Sequence, residues 1–330
     1  MIKHLKNEFK KGKNMSSILG NAQLAFNNIT KSKIDILNLI NEISSNIISN
    51  KEVILKANKK DILENKGFEL DFNVILELLK KMEKQKSLYK TKLINDSKNT
   101  ITEYDNLGVL ETFFDGNTYV FIEMSLKTLI SHNSMILISQ NEYMNYTNSV
   151  IYNIIINTLI SKKIDQNVIQ LVYEYNILKY CENNLIAKKA FVIGNTDLHN
   201  AIKRVSKLDI SYFPYNDCDI YIENINNIEK IKEFINKNDN VLFKVYINKN
   251  LNYELENAEY VKNLSEVLEK IRFDSCGYCM ILCSNDKNTK VNFSEMCKSK
   301  YILINKFMNF NKNIVDVDIN EFYYTKNIII

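Results

Sequence analysis

Leu107-Gly108-Val109-Leu110-Glu111-Thr112-Phe113-Phe114, followed by Asp115-Gly116-Asn117 and closed by Asn133-Ser134-Met135-Ile136-Leu137-Ile138-Ser139, is the stretch that decides the fold. Its two ends are apolar runs of strand length, Gly108 to Phe114 and Met135 to Ser139. Between them Ile122, Ser125 and Leu129 recur at helical spacing. Strand, glycine turn, helix and strand in that order make one parallel crossover unit.

The alternation continues downstream. The spacing predicts a helix over Tyr146 to Ile160 and strands over Val168 to Val172 and Ala190 to Ile193. Beyond Asp219 the pattern repeats, with strands over Ile220 to Ile222, Val241 to Ile247, Tyr278 to Cys283 and Tyr301 to Asn305, and helices over Ile228 to Ile235 and Leu264 to Ile271. The expected architecture is therefore α/β: a doubly wound, mostly parallel sheet followed by a second, reduced α/β domain.

Upstream the chain reads as mostly helical. Ser32 is expected to cap a helix carrying Ile36, Leu37, Ile40, Ile43 and Ile47 on one face. A second helix runs from Val53 to Glu64 and stops near Gly67, and a third passes through Val74, Leu78, Leu79 and Met82. A polar stretch, Asp96 to Asp105, separates these helices from the alternating region. At the other end Phe322 to Ile330 is a β-prone apolar run, which must pair with a partner's sheet or with its own.

Composition narrows the function classes. The 330 residues are 45% hydrophobic and 25% charged, enough for a sizeable core and more suited to two domains than to one. The net charge of +4 comes from 43 basic and 39 acidic residues scattered along the chain, which leaves no nucleic-acid footprint. The basic cluster Lys3 to Lys13 reads as a solvated extension. Val150 to Ile160, the longest apolar stretch, is broken by Asn153 and Asn157 and is too short to span a membrane. With no signal-peptide pattern, the cytoplasm is the expected compartment. Cys181, Cys218, Cys276, Cys279, Cys283 and Cys297 do not form a secreted disulfide framework and are expected to be free. One proline, seven glycines and no tryptophan mark a strongly biased composition, and so few glycines leave little material for phosphate-cradling loops.

Leu107 to Leu110, Asp115-Gly116-Asn117, Val120, Glu123 and Asn133 to Leu137 together resemble the stretch LGVIGxIxExRPNVxxxxxxLxLKxGNAVIL of gamma-glutamyl phosphate reductase, a member of the aldehyde dehydrogenase superfamily. Other segments follow in the family's order. Ile54 to Asp61 is similar to ILxANAxD, Val168 to Val172 to AVQLV, Cys218 to Glu223 to CHIYVD, Tyr301 to Asn305 to AVYVN, and Tyr324-Thr325-Lys326 to TTYK. The resemblance spans the chain from Met15 onward. It implies an aldehyde-dehydrogenase-like fold, NADP as cofactor, an acyl-phosphate substrate and a dimer through the C-terminal strand. Members of the family reduce gamma-glutamyl phosphate to glutamate 5-semialdehyde with NADPH in proline biosynthesis, through a thioester on a cysteine.

The departures concern the site. Aligned on the strand after the family's QRPxxCNxxETLLV, the nucleophile's position holds Asp239, a poor substitute for a thiolate. The cofactor-side RGGxGL element reads Ile193-Gly194-Asn195-Thr196-Asp197-Leu198-His199, with an acid where a phosphate would lie. Asn117-Thr118-Tyr119 stands for Arg-Pro-Asn, Ile130 for the lysine of LKxGN, and a segment of the second domain is missing near Asn250 to Glu256. The resemblance thus implies a catalytically impaired relative that acts through association, as a homodimer or with an active homologue. The alternative is an active reductase using Cys218 or Cys279 as a displaced thiol. Asn117, Gly194 and Asn195 are the cofactor-binding candidates, and no metal site is expected.

Other features read as structural. Cys276-Gly277-Tyr278-Cys279 precedes a strand instead of opening a helix, which disfavours a redox or zinc role. His132 sits in a helix-to-strand turn and His199 begins a helix, while Tyr143, Tyr146 and Tyr152 have packing spacing. Asn236 to Asn240 reads as a solvated loop. The expected divisions are a basic extension over 1–14, a cofactor-domain-like part over 15–225, a reduced catalytic-domain-like part over 226–310 and a C-terminal arm over 311–330.

Overall fold

The computed structural model describes residues 15–32, 34–95, 100–139, 142–173, 186–194, 196–214, 217–224, 228–238, 241–251, 253–255, 257–274, 279–297, 299, 301–307 and 317–329. The 1–14 extension, Asn195, Asp239, Cys181 and Cys276 lie outside them. The chain divides into two compact units, one within Met1–Ile193, Ala201–Tyr212 and Asp316–Ile330, the other within Gly194–Asn200 and Phe213–Val315.

The first unit opens with four helices, α1 (Met15–Lys31), α2 (Ile36–Ser49), α3 (Lys51–Asn65) and α4 (Phe72–Lys84). Helix α2 buries Ile36, Leu39, Ile40, Ile43 and Ile47, but its cap is Asp35, not Ser32. Asp35 is extended and accepts from the Asn38 amide at 3.1 Å, whereas the Ser32 hydroxyl donates to the Ile29 carbonyl at the end of α1. Helix α3 stops on Lys66, which takes the left-handed conformation (φ 56°) immediately before Gly67. Asp61, fully buried on α3, caps another helix, α6 (Asn145–Ser161). Its carboxylate accepts from the Tyr146 and Thr147 amides at 2.9 and 2.8 Å and from the Thr147 hydroxyl at 2.6 Å.

The polar stretch after α4 is not merely a separator. β1 (Lys92–Asn95) and β2 (Thr100–Asn106) pair antiparallel, and β13 (Tyr323–Ile329) pairs antiparallel with the other side of β2, from Tyr323 opposite Asn106 to Ile329 opposite Thr100. The apolar tail thus completes a sheet of its own chain. Thr100, Ile101 and Thr102 supply the β-branched residues that a sequence reading weighted by polarity passes over.

The central sheet of this unit has the order β5-β4-β3-β6-β7, with β5, β4, β3 and β6 parallel. β3 (Val109–Phe114) and β4 (Ser134–Ser139) are buried at every residue, as expected of a strand covered on both faces. They are joined by α5 (Thr118–Ile130), also buried throughout. α6 leads on to β5 (Ile169–Tyr173), and β6 (Lys189–Gly194) is followed by α7 (Thr196–Val205) and β7 (Asp209–Pro214).

Because α5 has no solvent face, its two charges must meet each other. The Lys127 ammonium reaches Glu123 Oε1 at 2.6 Å, one turn away, with both side chains 1% exposed. Lys127 also donates to the Val317 carbonyl, and the Val317 amide donates to Glu123 Oε1 at 3.3 Å.

The second unit repeats the topology with the parallel order β10-β9-β8-β11-β12. β8 is Asp217–Ile222, β9 Leu242–Asn248, β10 Glu259–Val261, β11 Cys279–Cys283 and β12 Tyr301–Ile304. Helix α8 (Ile228–Lys237) follows β8, α9 (Leu264–Asp274) follows β10 and α10 (Lys287–Met296) follows β11. Tyr221, Tyr246, Val261, Val267, Met280, Leu282 and Phe293 form its main cluster. β8 is the middle strand of this sheet, so the second unit takes in residues from Phe213, ahead of the division expected at 226.

Two predictions follow from these contacts. Lys127→Met, which leaves the Glu123 carboxylate buried without its ammonium, is expected to destabilise the protein by about 3–5 kcal/mol in denaturant unfolding, and adding Glu123→Gln should recover most of the loss. His132, left-handed (φ 54°) and 4.6 Å from the Tyr89 ring, is held below its ordinary value of 6.5 by burial and then by the Lys90 charge. Its contribution to stability is therefore fully present above pH 6.5 and lost as the pH falls from there to the folded value. His132→Asn, which tolerates the same backbone, should flatten the acid side of a Tm-against-pH profile.

Candidate functional site

From β3 the chain winds toward β4 and β5 on one side, and from β6 it winds toward β7 on the other. β3 and β6 are parallel neighbours, with Phe114 registered opposite Ile193 at their carboxyl ends. The strand order reverses at this point, and in an open parallel sheet that is where a ligand crevice forms. Asp115-Gly116-Asn117 leaves β3 here, so the sequence candidate Asn117 follows the first strand of the switch point, while Gly194 (φ 156°) is the last residue of β6.

The local geometry turns the polar atoms of the first loop inward. Gly116 takes φ 91°, which a side chain would oppose, and the Asn117 amide donates to Asp115 Oδ1 at 3.1 Å. Asn117 Oδ1 then accepts from the amides of Tyr119 (2.9 Å) and Val120 (3.4 Å), capping α5. Asn148, fully buried on α6, clamps the turn from behind. Its Nδ2 donates to the Gly116 carbonyl at 2.7 Å, and its Oδ1 accepts from the Thr118 hydroxyl at 2.8 Å.

Tyr119, 5% exposed, points into the helical layer. Its hydroxyl accepts from the Asp71 amide at 2.8 Å and donates to the Asp71 carbonyl at 3.3 Å, and burial pushes it up to about 12. Ile130 is fully buried. On the other loop Asp197 lies in the first turn of α7, and His199 on the same helix is buried.

Neither loop, taken by itself, fits a dinucleotide phosphate. The amides that an anion would use at the start of α5 already bond Asn117, and the first turn of α7 carries a negative charge. Among the described residues no group of three or more His, Cys, Asp or Glu side chains is placed to hold a metal ion.

In the second unit the structure brings two sequence candidates together. Cys218 on β8 and Cys279 on β11 are registered opposite each other, 1% and 0% exposed. Cys283, also fully buried, is pushed up to about 12 by burial. Near Asp239, which lies outside the described residues, Asn238 Nδ2 donates to the Phe234 carbonyl at 2.7 Å.

At the carboxyl end of this second sheet is a network that the sequence reading missed. The Ser284 hydroxyl donates to Glu223 Oε2, its amide donates to Asn305 Oδ1 at 3.1 Å, and Asn305 Nδ2 returns to the Ser284 carbonyl at 2.9 Å. A carboxylate held at a strand end opposes an anion there. The sequence signal that could have found it is a serine and an asparagine standing directly after apolar runs of strand length. Tyr146, one of the spaced tyrosines, packs under Lys60 and donates to Glu64 at 2.6 Å.

No protein-family model matches the sequence, and no curated protein does. Solved structures do match. A gamma-glutamyl phosphate reductase from Thermotoga maritima is 12% identical over 96% of this chain and 98% of its own, with a TM-score of 0.61. An acetylating aldehyde dehydrogenase from Geobacillus thermoglucosidasius is 10% identical over 96% of each chain, with a TM-score of 0.65. An engineered glycolyl-CoA reductase with bound NADP+ is 9% identical over 96% of this chain and 97% of its own, with a TM-score of 0.64. Likeness across whole chains at such low identity is likeness of fold, and the chain accordingly has the aldehyde-dehydrogenase-like fold that these enzymes share.

Proposed function

We propose that this chain is a divergent gamma-glutamyl phosphate reductase-like protein, catalytically silent or strongly impaired, that acts through association with a second copy or with an active homologue. The observation that carries this reading is the direction of the polar atoms at the switch point. Asn117 turns its side-chain oxygen onto the first amides of its own helix and the Tyr119 hydroxyl bonds the Asp71 backbone, so the helix-start amides and that hydroxyl are already engaged. Asp239 in the nucleophile's place and Asp197 in the cofactor loop support it from the sequence.

The competing reading is an active NADPH-dependent reductase of gamma-glutamyl phosphate in proline biosynthesis, with Cys218 or Cys279 as nucleophile. It requires a thiol in contact with both an acyl phosphate and a dinucleotide, and both cysteines are buried within a sheet where molecules of that size do not reach them. That the described cysteines are thiols supports a cytoplasmic setting, and no helix among the described residues is long and apolar enough to cross a membrane. Scattered charge argues against a nucleic-acid partner.

The deciding experiment is a titration with NADPH, followed by cofactor fluorescence and by heat. No saturable binding up to millimolar cofactor is expected. Micromolar binding would overturn the reading, and a reductase turnover abolished by Cys218→Ser or Cys279→Ser would put the displaced-thiol enzyme in its place.

A further inference from the structure

β8 and β11 run side by side in strict register: Cys218 opposite Cys279, Ile220 opposite Ile281, Ile222 opposite Cys283. Registered residues of neighbouring strands send their side chains to one face, from Cα atoms about 4.8 Å apart. A disulfide accepts Cα separations of about 4.4–6.8 Å. Both are buried thiols, on the face opposite Tyr221, Met280 and Leu282. The other described thiols are placed differently. Cys283 is registered with Ile222, and Cys297 packs its sulfur 3.4 Å from that of Met280 on the opposite face.

We propose that Cys218 and Cys279 are a reversible oxidation site, closed to a disulfide by a hydroperoxide. One thiolate attacks the peroxide oxygen, becoming a sulfenic acid and releasing the alcohol, or water when the oxidant is hydrogen peroxide. The second sulfur then displaces the sulfenic hydroxyl as water. Two thiols and one hydroperoxide give one disulfide, one alcohol and one water, so two electrons pass from sulfur to oxygen.

Cys218 is the second residue of β8 and Cys279 the first of β11. Only the starts of these strands must part to admit a small oxidant, and strand ends open at lower free energy than a core does. Closing the bond brings the Cβ atoms together by roughly 1 Å from ordinary strand spacing. The bridge is therefore strained and more readily reduced than a relaxed one, which suits a reversible modification.

The test uses the full chain, treated with hydrogen peroxide, unfolded, alkylated and digested with trypsin without reductant. Cys218 falls in the peptide 208–230, while Cys276, Cys279 and Cys283 share the peptide 273–287. The expected product is a cross-link between these two peptides, with a loss of two of the six titratable thiols, both reversed by dithiothreitol. Cys279→Ser should abolish the cross-link, whereas Cys276→Ser and Cys283→Ser should keep it. Full alkylation of Cys218 and Cys279 after peroxide would overturn the proposal. So would a bridge within 273–287, or sulfinic acid at either position without a cross-link.

Discussion

A lysine and a glutamate buried one turn apart on α5 set the terms for the first unit. Neither can reach water, so each needs the other, and both also bond the backbone of Val317. That grip fixes where the chain re-enters the unit. The adjoining contacts then follow: Phe322 stacks on Phe191 with ring centroids 4.9 Å apart, Asn133 donates to the Phe322 carbonyl at 2.8 Å, and Lys189 pairs with Glu321. β13 can lie along β2 only because the residues ahead of it are held in this way.

The central strands could be read from the sequence because they are covered on both faces and therefore appear as unbroken apolar runs between turn residues. Elements with one wet face were harder. β7 has no fully buried position, β10 has three residues, and β2 hides its pairing among threonines and acids. Helix α1 carries a glycine and several asparagines in its body, and only contact with the rest of the unit makes it worthwhile. The misplaced cap of α2 shows the limit of local rules, since Ser32 and Asp35 are both competent and the geometry at the end of the preceding helix chooses between them.

At the site, sequence position and chemical role came apart. Asn117 and Gly194 are candidates through the resemblance to the family's cofactor elements, but nothing in the sequence says which way an amide oxygen turns. That choice depends on Asn148, thirty-one residues further along the chain, which holds the turn from the neighbouring helix. The burial of Cys279 and Cys283 was more accessible, because the run Cys279-Met280-Ile281-Leu282-Cys283 has no polar residue to mark an outer face. Helix capping and ligand binding draw on the same few amides, and this chain has spent them on the first.

The left-handed positions carry a different consequence. Lys66, Lys90, His132 and Lys163 all have φ between 54° and 59°, in a chain with seven glycines altogether. Each side chain there costs about 1 kcal/mol that a glycine would not. A biased composition has thus been absorbed as stored backbone strain at loop and helix ends, outside the strands themselves. Those four turns are an unused stability reserve, reachable without touching the core.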